Sequence, residues 1–297
     1  MSINFMVPAV TAFDEKGQVD VQANINIYEH LIKGGVDGVV ILGSAGEFFS
    51  MTTEQKKLLI DTASETIQDR TRFIVGTGSM IVEEVIELSN YALQKGAEAV
   101  MIIPPYYFSY DEESILNFYE MVAPKVQGNI FIYNFPDRTG YDIPASTILK
   151  LARKHNNVTG CKDTVAVMGH TRELIETIKG EFPNFEVYAG FDENFFHNML
   201  SGGYGNISAL GNMAPEVTSG LVRAMKERDI DAIEKAQVQI NELMAIYGVH
   251  DSFISTIKHA MVLRGVQMKP YCLAPTMCLN AEKDAKVKEI LKASGLL

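Results

Sequence analysis

Tryptophan is missing from the 297 residues, and cysteine occurs only three times, at Cys161, Cys272 and Cys278. An odd number of thiols, in no zinc or dithiol spacing, makes a reducing compartment the expectation. Positive charge is scarce: 26 Lys and Arg face 37 Asp and Glu, a formal net charge of -11. A nucleic-acid binder needs a basic face to neutralise phosphates, and no Lys/Arg cluster supplies one. An anionic ligand would have to be held by a few placed cations. There is no run of about 18 apolar residues to span a bilayer. The N-terminal stretch lacks the basic and apolar regions of a signal peptide, so a cytoplasmic protein is expected. The six histidines (His30, His155, His170, His197, His250 and His259) form no H-x-x-x-H spacing, so no metal site is expected. No Walker loop, G-x-S-x-G elbow or G-x-G-x-x-G run is present. Nucleotide chemistry and metal-dependent aldol chemistry therefore have no anchor.

What is present is a chain with 47% apolar and 21% charged residues, globular in composition. Short apolar runs alternate with longer amphipathic segments. The predicted strands are Phe5–Val10, Gly38–Leu42, Phe73–Gly76, Ala99–Ile103, Ile130–Tyr133, Val158–Lys162, Phe185–Ala189 and Asn206–Ala209. Most are unbroken apolar runs, the pattern of parallel strands covered on both faces. Helices are predicted over Thr53–Gln68, with Thr52 or Thr53 as N-cap, and over Val82–Lys95, Glu112–Lys125, Ala145–Lys154, Met168–Lys179 and Asp192–Ser201. Three Lys-Gly pairs (Lys33-Gly34, Lys95-Gly96, Lys179-Gly180) give the cation-then-glycine signal of a helix C-terminus.

Eight strands, each followed by a helix, predict an α/β fold: a closed (β/α)₈ TIM barrel with a C-terminal helical extension. An open doubly wound sheet would announce a Gly-rich loop after its first strand, but TAFDEKG follows Phe5–Val10. Residues 1–214 are assigned to the barrel strands and most of its helices. Residues 215–297, all helical in pattern, are assigned to the last barrel helix and the extension, within the same structural unit.

Catalytic groups of such barrels sit at the C-terminal ends of strands. Lys162 closes an apolar strand and shares a face with Gly160 and Val158. If that face is the interior, Gly160 leaves room for the lysine stem, and the surrounding apolar strands disfavour the ammonium. That is what an imine-forming amine needs. Tyr133 ends the preceding strand and could relay protons. The turn Gly43–Glu47 could cradle a carboxylate on backbone N–H groups, and Ser44 could hydrogen-bond to Tyr133 or to substrate. Arg138, just past Tyr133, could hold a carboxylate at two points. Glu47 suits the first turn of a following helix better than a catalytic base.

Gly43-Ser44-Ala45-Gly46-Glu47, Tyr133-Asn134-Phe135-Pro136 and Gly160-Cys161-Lys162-Asp163, in this order and spacing, resemble the dihydrodipicolinate synthase / N-acetylneuraminate lyase family of pyruvate-dependent class I aldolases. The resemblance spans nearly the whole chain. It implies a barrel with a C-terminal helical extension, usually tetrameric, and no cofactor beyond the imine itself. It makes Lys162 the Schiff-base lysine and Tyr133 the proton relay. Ser44 and Ala45 become the turn for the pyruvate carboxylate, Tyr107 a tyrosine that in the synthase branch reaches a neighbouring subunit's site, and Ile207 a residue packed near the keto acid. Gly46-Glu47-Phe48, Gly190-Phe191-Asp192-Glu193 and Gly205–Ala209 look closest to the 2-keto-3-deoxygluconate aldolase-like branch. Gly190 and Asp192 are then substrate-binding, an acidic pair near Asp192-Glu193 being where neuraminate lyases meet sugar hydroxyls.

The implied activity is cleavage or formation of a 2-keto-3-deoxy sugar acid, giving pyruvate and an aldehyde. Ala45, where synthases carry Thr, weighs against condensation of pyruvate with aspartate semialdehyde; Arg138 weighs for it. N-acetylneuraminate lyase and a non-catalytic keto-acid-binding barrel are the other readings. A phosphosugar isomerase fits poorly, because Gly202-Gly203-Tyr204-Gly205 precedes the last strand instead of following it.

Overall fold

The computed structural model describes residues 3–297. The strands are β1 (Asn4–Pro8), β2 (Gly38–Ile41), β3 (Arg72–Gly76), β4 (Ala99–Ile102), β5 (Asn129–Asn134), β6 (Val158–Asp163), β7 (Glu186–Ala189) and β8 (Gly205–Ile207). They close into a parallel barrel in the order β1 to β8. The helices among the described residues are α1 (Val21–Lys33), α2 (Thr53–Ile67), α3 (Val82–Gln94), α4 (Glu112–Val122), α5 (Pro136–Thr139), α6 (Ala145–Lys154), α7 (Met168–Lys179), α8 (Phe195–Leu200), α9 (Pro215–Glu227), α10 (Ile230–Leu243), α11 (Phe253–Leu263) and α12 (Ala281–Ala293). No described helix is long and apolar enough to cross a membrane.

Every predicted strand is present, with ends shifted by a residue or two. β2 stops at Ile41 because Leu42 takes a left-handed φ of 55°. The predicted helix over Asp192–Ser201 opens as a 3₁₀ turn, Asp192–Asn194, before α8. Of the two threonines considered, Thr52 is the cap of α2. Its Oγ1 accepts from Gln55 N at 3.2 Å, and the Gln55 side chain accepts from Thr52 N at 3.1 Å, a reciprocal capping box.

The Lys-Gly signal holds in position but not in mechanism at two of its three sites. Gly96 is left-handed, φ 94°. Gly34 and Gly180 are right-handed, and Gly35 takes the left-handed turn after α1. Gly34 is small for a different reason: a Cβ there would lie 2.3 Å from Pro215.

Two compact units emerge from the contacts: residues 73–207, and residues 3–72 with 208–297. In the first, β3 to β8 are flanked by α3 to α8. Ile130, Ile132, Val187 and Tyr188 are fully buried, as covered parallel strands require. In the second, β1 and β2 pair and α9 to α12 follow. Residues 264–280 are not helical, against the expectation for the C-terminal part, since Pro270 and Pro275 interrupt the pattern. Within this unit Asn212 is tied to the end of β1, accepting from Val10 N at 3.0 Å and donating to Pro8 O at 2.9 Å.

Candidate active site

β5 and β6 run in register with Tyr133 opposite Lys162 and Asn134 opposite Asp163. Side chains alternate along a strand, so each pair occupies its own face. Asn134 and Asp163 meet Ile143 and Thr171, on the side of the helices. Lys162 and Tyr133 therefore face away from the helices. Both are buried, 4% and 3% exposed, and the Lys162 Nζ lies 4.5 Å from the centroid of the Tyr133 ring. Tyr188 of β7 is the register partner of Lys162 on its other side.

Gly160 does make room, but not for the lysine. A Cβ at this position would lie 2.7 Å from Cδ1 of Phe131 and 3.0 Å from the Glu186 carbonyl. The glycine lets the Phe131 ring lie across β6 beneath the site, where it packs on Tyr188 at 5.9 Å between centroids.

Around the strand ends, Phe135 stacks on Tyr133 at 5.9 Å and takes the edge of Phe191 at 6.3 Å. The Arg138 guanidinium, on α5, lies 5.2 Å from the Phe135 ring centre. Gly190 donates its N–H to Asp163 O at 2.9 Å. A Cβ on Gly190 would sit 1.9 Å from Thr164 Oγ1. Asp192 and Ile207 are buried at the ends of β7 and β8. Tyr107 stands apart: it is 79% exposed, with the edge of Phe108 5.0 Å from its ring.

Sequence reasoning passed over two features here. Thr164 is on the face of Lys162, two residues on, and its buried Oγ1 has no hydrogen-bond partner. His170 joins Asp163 (Nδ1 to Oδ2, 3.0 Å) to Asp142 (Nε2 to Oδ2, 2.9 Å). The hydrogen bonds it donates to Asp142 and then to Asp163 push the imidazole up to about 10. Burial raises the Asp142 carboxyl, but hydrogen bonds from His170 and Asn134 outweigh it and leave it below the usual range. Irregular spacing (142, 163, 170) hid this cluster in the sequence.

Ser44, Ala45 and Gly46 form a 3₁₀ turn after β2. Gly46 and Glu47 donate their N–H groups back to Gly43 and Ser44, and Thr11 Oγ1 donates to Gly46 O at 2.9 Å. Glu47 is neither a base in waiting nor part of a first helical turn. It is left-handed, φ 59°, and fully buried. Its carboxylate pairs with the buried Lys258 of α11 and accepts from Leu273 N at 2.8 Å. Lys258 also donates to Tyr271 O at 2.7 Å. Residue 258 lies more than 200 positions along the chain, out of reach of any motif.

A family model, the dihydrodipicolinate synthetase family, matches residues 1–294. The chain belongs to that family. It is 35% identical over 290 residues to the probable 2-dehydro-3-deoxy-D-pentonate aldolase YjhH of Escherichia coli, covering 98% of this chain and 96% of the relative. It is 35% identical over 285 residues to the putative 2-dehydro-3-deoxy-D-gluconate aldolase YagE of Escherichia coli, covering 96% and 94%. The crystal structure of YagE in complex with pyruvate superposes with a TM-score of 0.96 over 99% of both chains at 34% identity. Dihydrodipicolinate synthase from Aquifex aeolicus reaches 0.91 at 28% identity, over 99% of this chain and 98% of the other.

Proposed function

We propose that this protein is a class I aldolase that cleaves or forms a 2-keto-3-deoxy sugar acid through an imine on Lys162. The observation that carries the reading is a buried lysine amine over the ring face of an equally buried tyrosine at adjacent strand ends. The names of the two Escherichia coli relatives support the substrate class.

Lys162 Nζ attacks the C2 carbonyl, and the oxygen takes a proton to give a carbinolamine. Loss of water leaves the protonated imine. Removal of the C4 hydroxyl proton lets the C3–C4 electrons flow into the imine, releasing the aldehyde and leaving an enamine. Protonation at C3 and hydrolysis return pyruvate and the free amine. Tyr133 carries the protons in these steps. The family resemblance assigns the C1 carboxylate to the Ser44-Ala45 turn, and assigns substrate contacts to Gly190, Asp192 and Ile207. Thr164, with its unpartnered hydroxyl, joins them as a ligand for a substrate oxygen. No cofactor enters the scheme.

The exposed Tyr107-Phe108 pair supports a homo-oligomer, a tetramer by resemblance, in which Tyr107 reaches a neighbouring site. Arg138, close to Phe135, supports a second reading: condensation of pyruvate with aspartate semialdehyde, whose carboxylate an arginine could hold. Borohydride reduction with pyruvate, read by intact mass, tests the chemistry. A stable adduct that Lys162→Ala abolishes is expected; no adduct would leave a binding barrel. Rates with 2-keto-3-deoxygluconate, 2-keto-3-deoxypentonate, N-acetylneuraminate and pyruvate plus aspartate semialdehyde, in wild type and Arg138→Ala, choose the substrate.

A further inference from the structure

On the helix side of β5 and β6, four side chains close a hydrogen-bonded ring. Asn134 Nδ2 donates to Asp163 Oδ1 at 2.8 Å and to Asp142 Oδ1 at 2.7 Å. His170 bridges the other oxygens of the same two carboxylates, at 3.0 and 2.9 Å. Thr171 Oγ1 adds a third bond to Asp163, at 2.6 Å, and Asn134 Oδ1 accepts from Ile143 N at 3.1 Å. Asp163 has no exposed side-chain surface, so its charge is balanced entirely by these partners.

The composition of the ring is unusual for its place. His170 lies in the first turn of α7, where the helix dipole opposes a cation. Two carboxylates gathered on it reverse that preference. The ring also falls on the last ladder pair of β5 and β6, one residue beyond Tyr133 and Lys162. Beyond that pair the chain is tied by Thr164 N to Asn134 O, 2.9 Å, and Gly190 N to Asp163 O, 2.9 Å. Strand ends fray unless held. Because successive residues share one backbone, any twist or slip at Asn134 and Asp163 moves the two groups on the opposite face.

We propose that the ring of Asn134, Asp163, His170 and Asp142 is a positioning device that holds the Lys162 amine over the Tyr133 ring by locking the ends of β5 and β6. It rests on the Lys162 imine proposed above. His170 and Asp142 act through the strands and touch no reacting atom. A misplacement of about 1 Å can cost on the order of 10²-fold in rate. Loosening the ring therefore slows imine formation while leaving the affinity for pyruvate almost unchanged.

The test compares wild type, His170→Ala and Asp142→Asn by the rate of borohydride-trapped adduct formation with pyruvate, at increasing pyruvate, alongside thermal melts. Expected in both variants is a maximal trapping rate down at least about tenfold, in the range that misplacement allows, with half-saturating pyruvate within about twofold. Added imidazole should restore part of the rate in His170→Ala and none in Asp142→Asn. Asp142 is exposed and closes only one side of the ring, so it serves if His170→Ala does not fold. A wild-type trapping rate in folded variants would overturn the proposal. So would a loss confined to half-saturating pyruvate. A wild type that forms no adduct overturns the Lys162 reading itself, and the ring proposal with it.

Discussion

The Lys162 amine lies over the face of the Tyr133 ring, 4.5 Å from its centre, because the two residues are register partners on adjacent parallel strands. Their geometry is a property of the sheet and not of the loops that follow it. In the proposed mechanism, this separates the pair that makes and breaks bonds from the residues that select an aldehyde.

In the proposed mechanism the Tyr133 phenol moves the protons. Tyr133→Phe keeps the ring that packs against Phe135 and removes only the hydroxyl. Turnover should fall about 10²–10⁴-fold, the usual contribution of general acid–base catalysis. The melting temperature should stay close to wild type. Steady-state kinetics checks the rate, and a turnover within twofold of wild type would remove Tyr133 from the mechanism.

Gly160→Ala overpacks the floor of the site. The new methyl meets the Phe131 ring at 2.7 Å and the Glu186 carbonyl at 3.0 Å, and the backbone oxygen cannot give way as a flexible side chain would. Urea unfolding should report a loss of about 1–3 kcal/mol. If Gly160 instead made space for the lysine stem, as the strand pattern alone suggests, the variant would lose activity with unchanged stability.

The Glu47–Lys258 pair is wholly buried. Lys258→Met strands a carboxylate, which costs about 3–5 kcal/mol. Glu47→Gln in the same chain keeps an acceptor for Leu273 N and removes the stranded charge. The double variant should therefore be more stable than Lys258→Met alone. Denaturation of the two singles and the double gives the coupling, expected above about 0.5 kcal/mol for residues in contact.

His170 makes stability depend on alkaline pH. Its folded value, about 10, lies above the ordinary 6.5. A raised value means the folded form holds the proton more tightly. The stabilisation is fully present below pH 6.5 and is lost as pH rises toward 10. Melting temperature across that window should decline more steeply in wild type than in His170→Gln. Parallel curves would show that the charge contributes nothing.

Much of the architecture was legible because parallel strands announce themselves as unbroken apolar runs, and most of β1 to β8 did so. That Lys162 and Tyr133 would come together was legible because both close neighbouring strands, where barrels keep their chemistry. His170 and Asp142 were not: a ring assembled from two strand ends, a loop and a helix has no period to read. Lys258 escaped because its partner Glu47 looks, in sequence, like an ordinary helix-opening acid. The left-handed backbone that turns Glu47 inward has no marker, since glutamate is not a residue that favours it.

Lys162 and Asp163 are neighbours in the chain yet serve opposite sides of one strand. A one-residue insertion or deletion upstream within β6 would exchange them, turning the carboxylate inward and the amine out among the helices. The strand is thus intolerant of length change in a way that its hydrophobicity does not betray. New specificities in this scaffold must be sought by replacing side chains or lengthening the connections beyond residue 163.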